Sequence, residues 1–288
     1  MAFGKSIFLK KYLFFKKVFF YLTLLGTITT VLACGNNRPE IPLTTVDADT
    51  LLYDRGIAAL DEGDWRTARE YFLQIRDNYP QSTLQPDARL GVADSYEAEA
   101  TLQSYMTALA DFRDFIALYP THPRAQYAQF KVGMVYFQQM RRPERDQAET
   151  RSAITEFELF EERYPESELL PEVQDYLRQA YDRISESNYV VGKFYHRMNW
   201  HPGAIDRLEM ILRNDPDFSQ RDLVYYYLAD SLQYAGRSEE SLPLLEKLIA
   251  EFPESEIISD AHELVTQIKT NPQEAIDFSP RLRTEDDP

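Results

Sequence analysis

Histidine and carboxylate side chains are the groups in this sequence that could take part in catalysis or hold a metal ion. The four histidines are His122, His196, His201 and His262. None has a second histidine or a cysteine at the spacing of a zinc site, and His262-Glu263 lacks the second histidine of an H-E-x-x-H helix. Carboxylate pairs such as Glu161-Glu162 fall at solvated helix positions. Since a glycine-rich phosphate loop and a nucleophile elbow are also missing from the sequence, we predict no enzyme activity, no cofactor and no metal site.

Cys34 is the single cysteine of the chain, and it follows a segment typical of a secretory signal. Five lysines between Lys5 and Lys17 precede an apolar run that ends at Ala33. The string Val31-Leu32-Ala33-Cys34 resembles the bacterial lipobox, in which the cysteine is acylated and becomes the first mature residue. The alternative is a single membrane-spanning anchor, although threonines and a glycine interrupt the run. We therefore predict a signal peptide at 1–33 and lipidation of Cys34.

The chain is strongly acidic. It has 47 Asp and Glu residues against 31 Lys and Arg, a formal charge of −16, and removal of the lysine-rich signal would take this to −21. Duplex binding depends on neutralising phosphates, so this charge argues against nucleic acid as a partner. It also argues against a purely electrostatic hold on anionic lipid, so membrane attachment is expected to depend on acyl chains at Cys34.

Five of the prolines recur along the sequence at intervals of 37 to 51 residues. An aromatic or acidic residue precedes each of Pro80, Pro120, Pro165, Pro216 and Pro253. Each proline follows a stretch of helical periodicity, and proline is suited to this place because it cannot continue a helix and biases the preceding residue away from the α region. Such intervals indicate a repeat made of two helices, with insertions.

Alignment on these prolines places small residues where two helices would approach closely and large residues between successive pairs. The aligned positions hold Ala68 and Phe72, Ala108 and Phe112, Ala153 and Phe157, Ala204 and Leu208, and Ser241 and Leu245. This is the tetratricopeptide pattern. The predicted fold class is all-α, a tetratricopeptide-repeat solenoid of five helical pairs plus a C-terminal capping helix from Ile257 to Lys269.

The same reading divides the chain into a signal at 1–33, a lipidated cysteine and flexible tether at 34–48, a solenoid at 49–270 and a disordered polar tail at 271–288. The fourth repeat is expected to begin with a long helix that continues through His196. The third repeat carries an insertion around Arg141 to Gln147, the one basic cluster of the mature chain. It is either a docking loop or a solvated start of the next helix.

The alignment on the prolines also indicates which side chains of the first helix of each pair, here called the leading helix, could face the concave groove of the solenoid. The candidates of the first three repeats are Tyr53, Leu90, Phe130, Met134 and Phe137, and those of the last two are Tyr189, Lys193, His196, Arg197 and Tyr226. Aromatic groups there would suit an extended peptide rich in aromatic residues. The alternative is that the tyrosines belong to the core between repeats.

The lipobox, the short tether and the five repeats with Tyr-Pro-x-Ser endings together resemble the BamD family of outer-membrane assembly lipoproteins. The third repeat is lengthened around Arg145-Asp146, and the fourth contains the most specific string, Val191-Gly192-Lys193-Phe194-Tyr195. The resemblance spans essentially the whole mature chain. Arg141-Arg142-Pro143 departs from the expected insertion, and Asp215-Pro216 replaces Tyr-Pro.

This resemblance implies a scaffold of the β-barrel assembly machinery, anchored by lipid at the periplasmic face of the outer membrane. The implied partners are the periplasmic domain of a BamA-like barrel insertase, other assembly lipoproteins and unfolded outer-membrane proteins. The first residue set would contact the substrate and the second the insertase. Two alternatives are a Tol–Pal type envelope coordinator and a pilotin-like lipoprotein that escorts a secretin ring.

Overall fold

The computed structural model describes residues 47–270, and these form eleven helices connected by short turns. The helices are α1 (Ala48–Asp61), α2 (Trp65–Asn78), α3 (Gln85–Glu99), α4 (Leu102–Leu118), α5 (Ala125–Phe137), α6 (Ala148–Arg163), α7 (Leu170–Arg197), α8 (His201–Asn214), α9 (Arg221–Tyr234), α10 (Ser238–Glu251) and α11 (Ile258–Thr270). The first ten make five consecutive pairs and α11 follows as a cap, which confirms the predicted fold class. Cys34, the signal, most of the tether and the tail lie outside the described residues.

Successive pairs share one continuous series of apolar clusters. Helices α3, α4 and α5 enclose the first of these clusters, α5 to α7 the next, α7 to α9 the third and α9 to α11 the last. Helices α5, α7 and α9 therefore each belong to two of these clusters. Such nearest-neighbour packing holds a solenoid together without a single central core.

Close approach of paired helices explains the small residues of the repeat. A Cβ atom added at Gly56 would lie 2.5 Å from the Phe72 ring, and one added at Gly91 would lie 2.6 Å from the other edge of that ring. Phe72 has no exposed surface and fills the space between the two leading helices. A larger residue at either glycine would displace the ring.

The residue before each proline ends the helix in the same way. The backbone N–H groups of Tyr79, Tyr119, Tyr164, Asp215 and Phe252 each donate to the carbonyl four residues earlier. At three of the five repeat ends a serine stands three residues later and bonds to the backbone of the next turn. Ser82 and Ser167 accept from the backbone N–H groups two residues on, at 3.0 and 3.1 Å. The recurrent Pro-x-Ser string is thus a helix stop joined to the start of the next pair.

The capping helix α11 buries one stripe, Ala261, Leu264 and Ile268, against α9 and α10. Residues three and seven positions apart share a helix face, so the opposite side remains polar. The cap covers apolar surface that the fifth pair would otherwise expose, as terminal elements of solenoids do.

Candidate functional site

A cavity of about 550 Å³ opens between the leading helices α1, α3 and α5. We call it the N-terminal cavity, and its lining consists of Leu60, Asp61, Asp94, Glu97, Ala98, Ala100, Tyr127, Lys131 and Gln138. Residues three or four apart lie on one helix face, which explains why α3 contributes Asp94 with Glu97 and α5 contributes Tyr127 with Lys131. The cavity belongs to the face that the leading helices share.

Polar side chains of the N-terminal cavity bond to one another between α3 and α5. The Tyr127 hydroxyl donates to Oδ1 of Asp94 at 2.9 Å. The Lys131 ammonium forms an ion pair with the buried Glu97 carboxylate. The Gln138 amide donates to the other oxygen of Glu97 at 2.9 Å. Glu97 is therefore fully engaged inside the fold, and Lys131 is held by it.

Burial governs protonation in this cavity. It raises the pKa of the Asp94 carboxyl to about 6, against the lowering effects of Lys131 and of the bond from Tyr127. Burial also raises the pKa of the Tyr127 phenol, assisted by the charge of Asp94. At neutral pH the cavity thus holds an ionised but poorly solvated carboxylate beside a protonated phenol.

The five residues predicted to contact substrate lie outside the N-terminal cavity. None of them is among the residues that line the N-terminal cavity. Leu90 has no exposed surface and lies in the cluster of α3 to α5, so the structure places it in the core instead of on the groove. Tyr53 is half-buried, with its ring centroid 5.7 Å from that of Phe72.

Phe130, Met134 and Phe137 pack together on α5 against α6 and α7. The Phe137 ring meets the Tyr176 ring at 4.9 Å in an edge-to-face arrangement. Phe130 is 8% exposed, whereas Met134 and Phe137 are partly exposed. These three predicted residues therefore belong to one cluster, and most of their side-chain surface is buried in the core.

Four of the five residues predicted to bind the insertase come together between α7 and α9. The Lys193 ammonium lies 5.5 Å from the ring centroid of Tyr189 and 4.9 Å from that of Tyr227, and Tyr226 contacts Tyr227 edge to face at 5.3 Å. The His196 ring completes the group at 5.2 Å from Tyr227. Tyr189 is only 6% exposed and supports the others from below.

His196 is fixed by α9. Its Nε2 atom lies 3.3 Å from Oδ2 of Asp230, and its Nδ1 atom lies 3.1 Å from the Ser231 hydroxyl. Burial lowers the pKa of His196, and the nearby Lys193 charge lowers it further. Burial also raises the pKa of the Asp230 carboxyl. His196 is accordingly neutral at pH 7 and acts as a hydrogen-bonding link between helices.

Arg197, the fifth predicted residue, faces a second cavity of about 480 Å³. This C-terminal cleft is lined by Glu144, Val190, Val191, Lys193, Phe194, Tyr195 and Arg197. Glu144 comes from the inserted segment of the third repeat, so the insertion forms one wall of the cleft. Basic groups at Lys193 and Arg197 flank aliphatic and aromatic surface.

Beside the cleft, the end of α7 and the start of α8 expose large apolar side chains. Phe194 is 46% exposed, Met198 62% and Trp200 53%. We call these three residues the apolar patch. The Trp200 ring is held edge to face against Tyr195 at 4.5 Å, so it is an ordered part of the surface. Exposed apolar patches of this kind typically mark interaction sites.

The side chain of Gln147 holds the inserted segment together through hydrogen bonds. This buried side chain donates to the carbonyls of Arg142 and Arg145 at 2.8 and 2.9 Å, and accepts from the Thr150 hydroxyl at 2.7 Å. Arg183 of α7 donates to the Arg141 carbonyl at 2.6 Å. The insertion is therefore a defined loop packed beside α7.

Of the residues that line the two cavities, only Lys193 and Arg197 were predicted from the sequence to contact a partner. The Asp94–Glu97 and Tyr127–Lys131 spacings were available signals, since each places two polar groups on one helix face. Trp200 and Met198 follow the string that carried the family resemblance, and their apolar character in an acidic chain was a further signal. Repeat position alone did not distinguish exposed from buried aromatic residues.

Within residues 47–270, every helix is too short or too polar to cross a membrane. In the same part of the chain, His, Cys, Asp and Glu side chains do not gather in groups of three or more that could hold a metal ion.

The stacked helical pairs define the class: a tetratricopeptide-repeat solenoid with open surface cavities. A sequence model of the tetratricopeptide repeat matches residues 223–255, the fifth pair. The model of the family YfiO, described as outer membrane lipoprotein, matches residues 46–232. The chain belongs to this outer membrane lipoprotein family.

The chain is also similar in sequence to proteins named outer membrane protein assembly factor BamD. The chain is 27% identical over 215 residues to the outer membrane protein assembly factor BamD of Caulobacter vibrioides, covering 75% of this chain and 70% of that protein. It is 24% identical to BamD of Vibrio cholerae, covering 68% and 84% respectively. Among solved structures, the TPR2AB domain of yeast Sti1 in its pHSP90 complex is 13% identical, covers 77% of this chain and 84% of that one, and has a TM-score of 0.41.

Proposed function

We propose that this protein is a scaffold subunit of the machinery that assembles β-barrel proteins in the outer membrane. Its family and the names of its relatives support the assembly role. The observation that carries the proposal is the apolar patch beside the basic rim of the C-terminal cleft, an exposed and ordered surface in an otherwise acidic chain.

The proposed partner at this surface is the periplasmic domain of a BamA-like barrel insertase. Phe194, Met198 and Trp200 would supply the desolvated centre of the interface, since aromatic anchors dominate binding energy. Lys193 and Arg197 would form its charged rim and orient the partner. Tyr189, His196 and Tyr226 contribute by holding the ends of α7 and α9 in place.

The proposed substrate surface is the inner face of the first three pairs. Tyr53, Met134 and Phe137 retain accessible surface there, while Leu90 is excluded by its burial and Phe130 contributes mainly to the core. An extended segment of an unfolded outer-membrane protein would lie along this face and into the N-terminal cavity. Other assembly lipoproteins would bind elsewhere on the same solenoid.

Anchorage to the periplasmic face of the outer membrane is proposed to depend on acylation of Cys34 after removal of residues 1–33. More than one acyl chain would give stable attachment, whereas a single chain would not. Mass spectrometry of the N-terminal peptide from membranes tests this directly. A Cys34→Ala variant that stayed in the outer membrane would contradict it.

The insertase contact is tested by affinity purification of the intact lipoprotein from crosslinked membranes. Trp200→Ala and Arg197→Glu should each reduce recovery of the insertase by about tenfold, because loss of a central aromatic or reversal of a rim charge costs roughly 1–2 kcal/mol or more. Leu102→Ala and Met106→Ala are matched controls, since both residues are exposed apolar groups on α4. Equal recovery from all four variants would remove this assignment.

A further inference from the structure

The N-terminal cavity has a charge balance that restricts what it can bind. Three carboxyl groups line it, those of Asp61, Asp94 and Glu97, and of its lining residues in the described chain only Lys131 is cationic. The Lys131 charge is already paired with Glu97. A peptide's terminal carboxylate would therefore meet the Asp61 and Asp94 carboxylates, and the one cation of the lining is already paired.

The two carboxylates that remain are placed at different depths. Asp94 lies deep, where it accepts from Tyr127, and it is faced by Lys131 and Arg124 from the neighbouring element and by Glu97 from its own helix. Arg124 is engaged with Asp87 at 2.8 Å. Asp61 is exposed at the end of α1 and forms the rim.

Apolar groups complete the cavity. Leu60, Ala98 and Ala100 add aliphatic surface to its lining. A long basic side chain matches this arrangement, because its methylene groups can lie on apolar surface while its charged end reaches carboxylate oxygens.

We propose that the N-terminal cavity binds a lysine or arginine side chain of an extended peptide segment, and that Asp94 and Asp61 select it. The inference rests on the substrate-binding role proposed above and specifies its chemistry. Recognition then depends on an internal basic residue of the unfolded substrate, and a free C-terminus is not required.

The protonation of Asp94 supports this assignment. Because burial raises its pKa to about 6, Asp94 is mostly ionised at pH 7.5 and mostly neutral at pH 5. A bound ammonium or guanidinium group would be attracted to the ionised form. Selective binding of a basic peptide should accordingly weaken as the pH falls from 7.5 to 5.

The test uses the intact lipoprotein in detergent and fluorescent twelve-residue peptides of alternating polar and apolar sequence. One peptide carries lysine at its centre and its partner carries norleucine, and each is made with a free and an amidated C-terminus. The lysine peptides should bind about tenfold more tightly, since hydrogen bonds to charged groups have that effect. Amidation should leave affinity unchanged.

Asp94→Asn should reduce the lysine preference to about twofold, and Asp61→Asn should reduce it by a smaller factor. Asp114→Asn on α4 is the control and should leave the preference intact. Thermal unfolding of each variant establishes that it is folded. Loss of the lysine preference at pH 5 in the unmodified protein, together with its reduction in Asp94→Asn at pH 7.5, would support the assignment.

Equal affinity of lysine and norleucine peptides would overturn the inference while leaving peptide binding by the inner face intact. Weaker binding of the amidated peptides would overturn it in favour of C-terminal carboxylate recognition. Failure of every peptide to bind would remove the proposed substrate surface and the inference together.

Discussion

The Asp215 carboxylate accepts from Nη2 of Arg178 at 2.6 Å, where the other repeat ends carry an aromatic ring. The same Oδ2 atom accepts from the Ser185 hydroxyl at 2.6 Å, so α7 holds the end of α8 from two positions. In contrast, Tyr119 and Tyr164 lie against phenylalanines of their own repeats, at 5.2 and 5.3 Å between ring centroids. An ion pair thus replaces aromatic packing at the fourth repeat.

Asp215→Ala should lower the free energy of unfolding by about 1–3 kcal/mol. The Asp215 side chain is 5% exposed, and its removal takes away one of the two carboxylate partners of Arg178 and the acceptor of the Ser185 hydroxyl. Urea unfolding measures the change. Asp217→Ala is the control, because that side chain is 83% exposed and should contribute less than about 0.5 kcal/mol. Similar losses in both variants would mean that the Arg178 pair is not the cause.

Gly91→Ala should destabilise the protein by about 1–3 kcal/mol, although alanine is the better helix former. The reason is the Phe72 ring, which would lie 2.6 Å from the new methyl group. Denaturant unfolding of Gly91→Ala, Phe72→Leu and the double variant tests this. The two effects should be less than additive, because the smaller leucine leaves room for the methyl. Strict additivity would show that Gly91 and Phe72 do not compete for the same space.

The helical pairs could be predicted because each repeat carries the same stop signal and the same small and large positions. Pro80 and Phe72, for example, define the end and the core of the first pair without knowledge of its neighbours. The exposure of side chains could not be predicted in this way. Tyr53 and Leu90 hold the same repeat position, yet Leu90 is fully buried. Repeat position gives the helix face, whereas burial depends on the size of the residues that the next pair places over it.

Only part of the candidate site could be predicted from the sequence. Tyr189, Lys193 and His196 are spaced four and three residues apart, so the sequence alone indicates that they share a face of α7. The N-terminal cavity was missed because its polar residues come from three helices. Which of these residues lie at the same level along neighbouring helices depends on loop lengths and crossing angles that the sequence pattern does not specify.

Asp94→Asn should stabilise the protein at pH 7.5 by about 2 kcal/mol. Burial raises the pKa of the carboxyl from 3.8 to about 6. Between these values the folded state keeps a proton that the unfolded state has released, so this group's contribution to stability falls as pH rises from about 4 to 6. The asparagine does not ionise but can still accept from Tyr127.

Urea unfolding of the Asp94→Asn variant and the unmodified chain at pH 4.5, 6 and 7.5 measures this contribution. The difference between them should grow with pH, while changes from the other titrating groups cancel. Asp54→Asn on the exposed side of α1 is the control and should show no such trend. A difference that stayed constant with pH would show that Asp94 titrates in its ordinary range.

Gln147→Ala should loosen the inserted loop of the third repeat without unfolding the solenoid. The amide of Gln147 bonds to the carbonyls of Arg142 and Arg145, and its oxygen accepts from Thr150. Its loss should raise the open population of the loop about tenfold, since a buried hydrogen-bonding group left unsatisfied costs roughly 1–3 kcal/mol. Limited trypsin digestion reports this as faster cleavage after Arg141 and Arg145.

Gln139→Ala is the matched control, because the Gln139 amide donates to the Val135 carbonyl within its own helical turn, at 2.8 Å. Cleavage of that variant should remain at the rate of the unmodified protein. Faster cleavage should also be accompanied by weaker insertase recovery, since Glu144 of the loop forms one wall of the C-terminal cleft. A Gln147→Ala variant with faster cleavage and full recovery would show that the loop shapes its own turn and contributes nothing to the partner surface.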